Sequence, residues 1–399
     1  MPEGEQPEPQ APVVPTDAAE ERRTVRVFAA ASFLNDTGSD MIYPIWPMFV
    51  TEILGANMAV LGLLDGLGEA MVSLSQAASG YASDRLRKRK VFIWLGYAMG
   101  ATSRIGYALS TLWQHLIPFR LLDRIGKMRG APRDAMIADV STRRTRGGNF
   151  GLLRAADNLG ATAGVLLCMA LFPLIGYRTL FLLAALPTVV GTALVIWLVR
   201  ERRAEGEHTF RGLNLSGLSR DLRLLVVLSA VFALGAFTYS FLVMHAKRLG
   251  VGDALIPGLY LLFTVVASLL SVPFGRLADR WGRRPVLAVA YALWGLVCVS
   301  AIWLHALWVA VLLFLLFGAH KAALEPSQKA IVAEFAPPGL CASILGGFNM
   351  VVGLCALPSS LLAGVLWDRV APGVPFAVSL GLTIIAIALL GLVREPEGE

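Results

Sequence analysis

Runs of about 17 to 25 predominantly apolar residues recur along the whole chain, roughly twelve of them, and each can cross a hydrocarbon layer of about 30 Å as a helix. Backbone N–H and C=O groups in lipid must find partners within the chain, and the runs lack the alternation of a barrel strand, so helices are the remaining solution. The composition fits: 56% of the 399 residues are hydrophobic, 16% are charged, and the mean hydropathy is +0.64. A soluble enzyme of this size is excluded. The formal charge of +7 is explained by placement. With the N-terminus in the cytoplasm and the spans alternating, roughly 21 of the 35 Lys and Arg fall on the cytoplasmic side and roughly 4 on the other. This bias predicts a multi-pass protein of the cell inner (cytoplasmic) membrane with both termini cytoplasmic. The basic surplus then serves topology and anionic lipid, and argues against a nucleic acid partner.

Residues 1–25 carry Pro2, Pro7, Pro9, Pro12 and Pro15 among Glu and Gln, cannot build a core, and read as a disordered cytoplasmic tail. A bundle of six spans is expected over 26–200, a polar cytoplasmic linker over 201–223, and a second bundle of six over 224–394. Pro44 and Pro47 predict an irregular outer end for span 1. The acidic, Pro-rich start has no apolar leader, so span 1 is expected to act as the membrane signal. Cys168, Cys298, Cys341 and Cys355 lack disulfide or metal spacing and read as core residues. His245 and His320 stand alone, and no metal site is expected. Trp46, Trp113 and Trp367 fall near span ends, where interfacial anchoring accounts for them.

Two basic loops reveal an internal repeat. Gly80, Asp84, Arg85 and Arg89 recur 195 residues later as Gly275, Asp279, Arg280 and Arg284, and Gly151 recurs at the same offset as Gly346. The pattern Gly-x-x-x-Asp-Arg-x-Gly-Arg-Arg, complete in the second copy with Gly282 and carrying Arg87 for glycine in the first, resembles the loops between helices 2 and 3 and helices 8 and 9 of the major facilitator superfamily. The resemblance implies an all-α membrane protein with twelve transmembrane helices in two pseudo-symmetric six-helix bundles around a central cavity. It also implies that these clasps gate the cytoplasmic side. Gly80 would let span 2 press on span 11, while Asp84 and Arg85 engage neighbouring helix ends, with Arg129 or Arg133 as partners. A carboxylate at a helix N-terminus contributes about 0.3–1 kcal/mol, enough to bias two states without locking either. The plainer alternative is a positive loop that only sets topology.

Charged residues inside the apolar runs are the candidate functional groups, because an ionised side chain at membrane depth is costly unless paired. Asp36 and Asp40 on span 1 are one helical turn apart, as are Asp65 and Glu69 on span 2, so each pair shares a face. With Arg104, Arg120, Arg124, Arg154 and Asp157 they form a cluster of near-balanced charge. It either carries protons and contacts substrate, or pairs internally to hold the first half together. On span 10, Lys321, Glu325 and Lys329 share a face, and either line the cavity or form a self-satisfied ladder. Gly160 and Gly164 allow close helix approach, but Val165 stands where many antiporters of the resembled family have proline.

These features lead to a secondary active transporter that moves a small organic solute by alternating access. Efflux in exchange for protons is the leading expectation, and a proton symporter or uniporter importing a nutrient is the second. A monomer is expected, with the solute and the lipid bilayer as partners and no cofactor besides the coupling proton. A membrane-embedded enzyme lacks a nucleophile elbow or a metal motif in the sequence, and a non-transporting receptor on the same fold is the remaining class.

Overall fold

The computed structural model describes residues 18–86, 88–142, 145–201, 219–335 and 341–393, and every regular element among them is helical. Helix α1 (Ala18–Asp40) begins within the expected tail, where Glu20 and Glu21 occupy its first turn and complement the helix dipole. Past Asp40 the chain turns irregular around Pro44 and Pro47, with a tight 3-10 turn at Tyr43–Ile45 and a wider π-type turn at Phe49–Ile53. Then come α2 (Met58–Leu86), α3 (Arg89–Leu109) and α4, which is helical over Trp113–Ile125, narrows to a 3-10 turn at Gly126–Arg129, and resumes over Gly130–Val140. The helical stretch Arg146–Leu198 is two spans, α5 (146–175) and α6 (177–198), separated at Gly176, whose φ of 68° is a left-handed value that glycine tolerates. Neighbours confirm the reversal. Gly160 and Gly164 lie against Phe33 and Thr37, a parallel run with α1, whereas Ala184 and Gly191 meet Gly38 and Ala31, an antiparallel one.

The second half repeats the plan. Helix α7 starts at Arg220, inside the expected linker, because the Ser219 hydroxyl caps it by accepting from Leu222 N at 3.2 Å. It has two pieces, Arg220–Gly235 and Tyr239–Arg248, interrupted at 236–238. Helices α8 (Ile256–Trp281), α9 (Arg283–Trp303), α10 (Trp308–Phe335), α11 (Cys341–Arg369) and α12 (Val374–Leu390) complete it. Gly282, at φ 94°, ends α8 and starts α9. Among the described residues, seven helical stretches are long and apolar enough to cross a membrane, one of them being the α5–α6 pair. Helices α1, α3 and α4 fall below that mark because they carry the polar residues, and α12 because it has only 17 residues.

The halves meet along an antiparallel seam of α2 and α11. Gly62 faces Ser360, Gly66 faces Ala356, Gly353 faces Ser73 and Gly364 faces Met58. Without a hydrophobic driving force between helices in lipid, such close backbone approach supplies the packing energy. A Cβ on Gly62 would stand 2.0 Å from the Ser360 carbonyl oxygen. The antiparallel seam also puts the end of α2 beside the start of α11, and Arg283 at the start of α9 pairs with Glu334 at the end of α10. Both clasps therefore sit at one end of the molecule, the clasp side; the other end is the far side. Replacing Gly62 with Val is expected to lower the Tm of the purified protein by more than about 5 °C through overpacking against backbone. Gly346→Ala, where no atom lies within 4 Å of the new Cβ, should leave it unchanged in the same thermal unfolding assay.

Candidate functional site

The polar residues of α1, α2 and α4 are stacked by depth. Nearest the far side, Asp65 is 2% exposed and uses both oxygens. Its Oδ1 accepts from Trp46 Nε1 at 3.0 Å and from Arg120 Nη2 at 2.6 Å. Its Oδ2 accepts from the hydroxyls of Thr238, at 2.9 Å, and Ser240, both at the interruption of α7. The Arg120 guanidinium also lies over the Trp46 ring, 4.4 Å from its centroid. One turn further toward the clasp side, Arg124 stands 3.6 Å from Glu69 and 3.6 Å from Asp123, over the ring of Tyr43. Glu69 is 47% accessible although α4 flanks it and the charge of Lys321 on α10 reaches it from the other half. An exposed carboxylate between two half-molecules marks an open cavity there. Deeper toward the clasps, Arg133 donates to Ser32 at 2.6 Å and pairs with Asp134 at 3.1 Å and Asp157 at 3.7 Å.

Asp36 and Asp40 differ from this pattern. Asp40 is buried and accepts one hydrogen bond, from the Tyr260 hydroxyl on α8 at 3.2 Å; Asp36 accepts from Asn35 at 2.8 Å. Neither has a cation within 4 Å among the described residues, and the two carboxyls feel each other's charge. Among the described residues, the other hydrogen bonds and ion pairs between the halves are likewise on the far side. Tyr239 donates to the Tyr43 carbonyl at 2.8 Å, Thr51 to the Met244 sulfur at 3.6 Å, and Lys247 pairs with Glu52 at 3.1 Å. Asp368 of α11 accepts from Met58 N and Ala59 N at 3.1 and 2.8 Å, capping the N-terminus of α2. On the clasp side, Gly275 and Gly346 have no atom within 4 Å of a built Cβ.

Several expectations are corrected. Arg104 does not face the cavity; it is 2% exposed and ties α1, α3 and α6 together. Its Nη1 donates to Ala184 O at 3.0 Å, and its Nη2 to Asn35 O, Asn35 Oδ1 and Ser39 Oγ at 3.1, 3.3 and 2.8 Å. Arg154 is 68% exposed and, among the described residues, pairs with Asp157 at 3.5 Å. Trp46 is a fully buried partner of Asp65 and Arg120, not an interfacial anchor. Lys321, Glu325 and Lys329 form no ladder among the described residues: Lys321 lies over the Phe317 ring, and the other two are exposed.

The clasps are engaged within their own halves. Among the described residues, a Cβ on Gly80 would have Ala131 of α4 at 3.6 Å and no atom of α11 within 4 Å, and Arg85 reaches Tyr81 at 3.3 Å. The Asp84 side chain and Arg87 lie outside the described residues; Asp279 and Arg280 are exposed. Arg129 bonds the Gly126 carbonyl and stacks on Tyr97, and Arg133 is held as above; the expected pairing of either with Asp84 lies outside the described residues. Arg89 pairs with Asp139 and Lys90 donates to Ile196 O at 2.7 Å. In the other half, Arg283 pairs with Glu334 and Arg284 donates to Gly391 O at 2.8 Å. Asp139 and Glu334, like Ile196 and Gly391, are 195 residues apart, so the duplication repeats these acceptors too.

A doubled six-helix bundle with a polar cavity at its junction has the build of a multi-pass membrane transport protein. The family model for the Major Facilitator Superfamily matches residues 28–262 and 224–399. An uncharacterised MFS-type transporter of Methanocaldococcus jannaschii is 35% identical over 381 residues, covering 92% of this chain and 94% of that protein. The multidrug resistance protein MdtG of Salmonella typhimurium is 24% identical, covering 78% of this chain and 80% of that protein. Among solved structures, the D323A mutant of the nucleoside transporter NupG superposes with a TM-score of 0.79 at 14% identity, covering 93% of this chain and 100% of that one. A bacterial homologue of the human lysosomal transporter Spinster superposes at 0.75 and 14%, covering 95% and 97%. The chain belongs to the Major Facilitator Superfamily, with its twelve transmembrane helices in two pseudo-symmetric bundles.

The Arg104 pin gives a direct prediction. A lysine cannot reproduce its forked donors, so Arg104→Lys should lower Tm by several degrees, an effect of about 2 kcal/mol or more. Transport per folded molecule, measured in proteoliposomes, should stay near the parent value.

Proposed function

We propose that the protein exports a small organic solute across the cytoplasmic membrane in exchange for protons, with Asp40 as the proton carrier. The observation that carries this reading is the environment of Asp40. Asp65, Glu69, Asp123 and Asp157 each have an arginine within 4 Å, so protonating them breaks an ion pair. Asp40 has none among the described residues, and it can gain or lose a proton without that cost. Asp36, one turn away on α1, places a second carboxyl on the same face. Because the hydrogen bond to Asp40 comes from Tyr260 in the other half, its protonation state bears on how the halves meet.

The polar column supports a route. Asp157, Arg133 and Asp36 lead from the clasp side to Asp40, while Glu69, Arg124 and Lys321 border the cavity where a solute would sit. The concentration of Lys and Arg in the clasps and linker supports a cytoplasmic clasp side with both termini there. Cavity and seam are complete within one chain, which favours a monomer as the working unit. The export direction rests on the name of the MdtG relative and on the open clasp side, from which a cytoplasmic solute would enter. The substrate's chemical class is left open by a cavity of mixed charge.

In proteoliposomes with an imposed pH gradient, Asp40→Asn should abolish gradient-driven accumulation, a loss of about 100-fold or more, while solute counterflow at equal pH is retained. Proton-driven transport by Asp40→Asn at the parent rate would contradict the assignment. Efflux and import separate by comparing inverted with right-side-out vesicles.

A further inference from the structure

We infer that Asp65 is a positioning residue that sets the balance between far-side-closed and far-side-open states, a latch between the halves and not a proton carrier. The inference rests on the alternating-access reading above but not on the choice of Asp40.

The geometry divides the carboxylate between the halves. Oδ1 belongs to the first half, through Trp46 and Arg120. Oδ2 belongs to the second, through Thr238 and Ser240. Both donors sit at the C-terminal edge of the interruption of α7, where the helix ladder stops with Ala236 N on Phe232 O and restarts with Phe241 N on Thr238 O. The latch thus grips α7 at the place where a helix bends at least cost. Beyond it, the outer piece Tyr239–Arg248 turns Ser240, Met244 and Lys247 to one face, and each meets the first half, at Asp65, Thr51 and Glu52 respectively. Asp65 is the buried anchor of that row, and Glu52 with Lys247 is its accessible outer end.

When the far side opens, the Thr238 and Ser240 hydroxyls must leave Oδ2. The Trp46 and Arg120 bonds lie within one half and persist, so the carboxylate stays paired in both states. What changes is whether its second oxygen is bonded by α7 or by water. Four donors, one of them the Arg120 guanidinium at 2.6 Å, engage this carboxylate, in contrast to the single donor to Asp40.

The test uses the full chain in lipid nanodiscs, with Cys168, Cys298, Cys341 and Cys355 replaced and the contact pair converted to Thr51→Cys and Met244→Cys. Disulfide formation under mild oxidant then reports far-side closure. Thr238→Val with Ser240→Ala removes only the donors of α7 and leaves Arg120 paired, so folding should be preserved, as thermal unfolding would verify. This double change is expected to slow cross-linking at least about three-fold. Asp65→Asn should slow it similarly, and the combination should go no further than either, because both remove the same contact. Unchanged cross-linking in Thr238→Val/Ser240→Ala would overturn the inference, as would effects that simply add. Failure of the proton assignment would show separately, as a coupled Asp40→Asn, with the cross-linking result unaffected.

Discussion

A carboxylate enclosed at membrane depth must have its oxygens bonded, and Asp65 meets that requirement only by drawing donors from both halves of the molecule. The far side closes around that constraint. Trp46 has to leave the membrane interface and enter the core to reach Oδ1, which the short turns imposed by Pro44 and Pro47 allow. Helix α7 has to break at 236–238 to present two hydroxyls to Oδ2. Tyr239 on Tyr43, Lys247 on Glu52 and Asp368 on the start of α2 then follow as neighbours of the same closure.

Each half is rigid for a different reason. The first is pinned by Arg104, a cation without a carboxylate within 4 Å among the described residues, which backbone and side-chain oxygens of α1 and α6 satisfy instead. The second has an aromatic interior in which Trp294 donates to Ser379 and packs with Phe237, Phe317 and His320. The clasps add the same kind of staple to both, at acceptors 195 residues apart. Rigid halves joined by a glycine-lined seam and by bonds gathered at one end are what a rocking movement needs: the parts keep their shape while the contacts between them change.

The helices and the repeat were legible because each follows from a local pattern: apolar length or a fixed offset. The polar cluster was legible as a set, since charges inside apolar runs stand out. Its internal assignments were not. Whether Arg104 faces a cavity or pins α1 to α6 depends on the rotation of α3 about its axis, which its mixed face does not encode. The partners of the key carboxylates, Tyr260 for Asp40 and Thr238 and Ser240 for Asp65, are ordinary hydroxyl residues far away in sequence, and their positions depend on the register between halves. The start of α7 at Arg220 had a local signal in the Ser219 cap, which the charged linker around it masked.

On the proposed reading, the two carboxylates divide the work. Asp65, paired with Arg120, holds the halves, while Asp40, bonded across the junction by Tyr260, exchanges the proton. The central claim is that two rigid halves alternate between openings at opposite ends. Spin labels at Gly151→Cys and Gly346→Cys, equivalent clasp-side positions in the two halves, test it most directly by double electron–electron resonance in lipid. The account predicts two distance populations, with the shorter growing when Thr238→Val/Ser240→Ala weakens the far side. A single narrow distance that no such change shifts would contradict it.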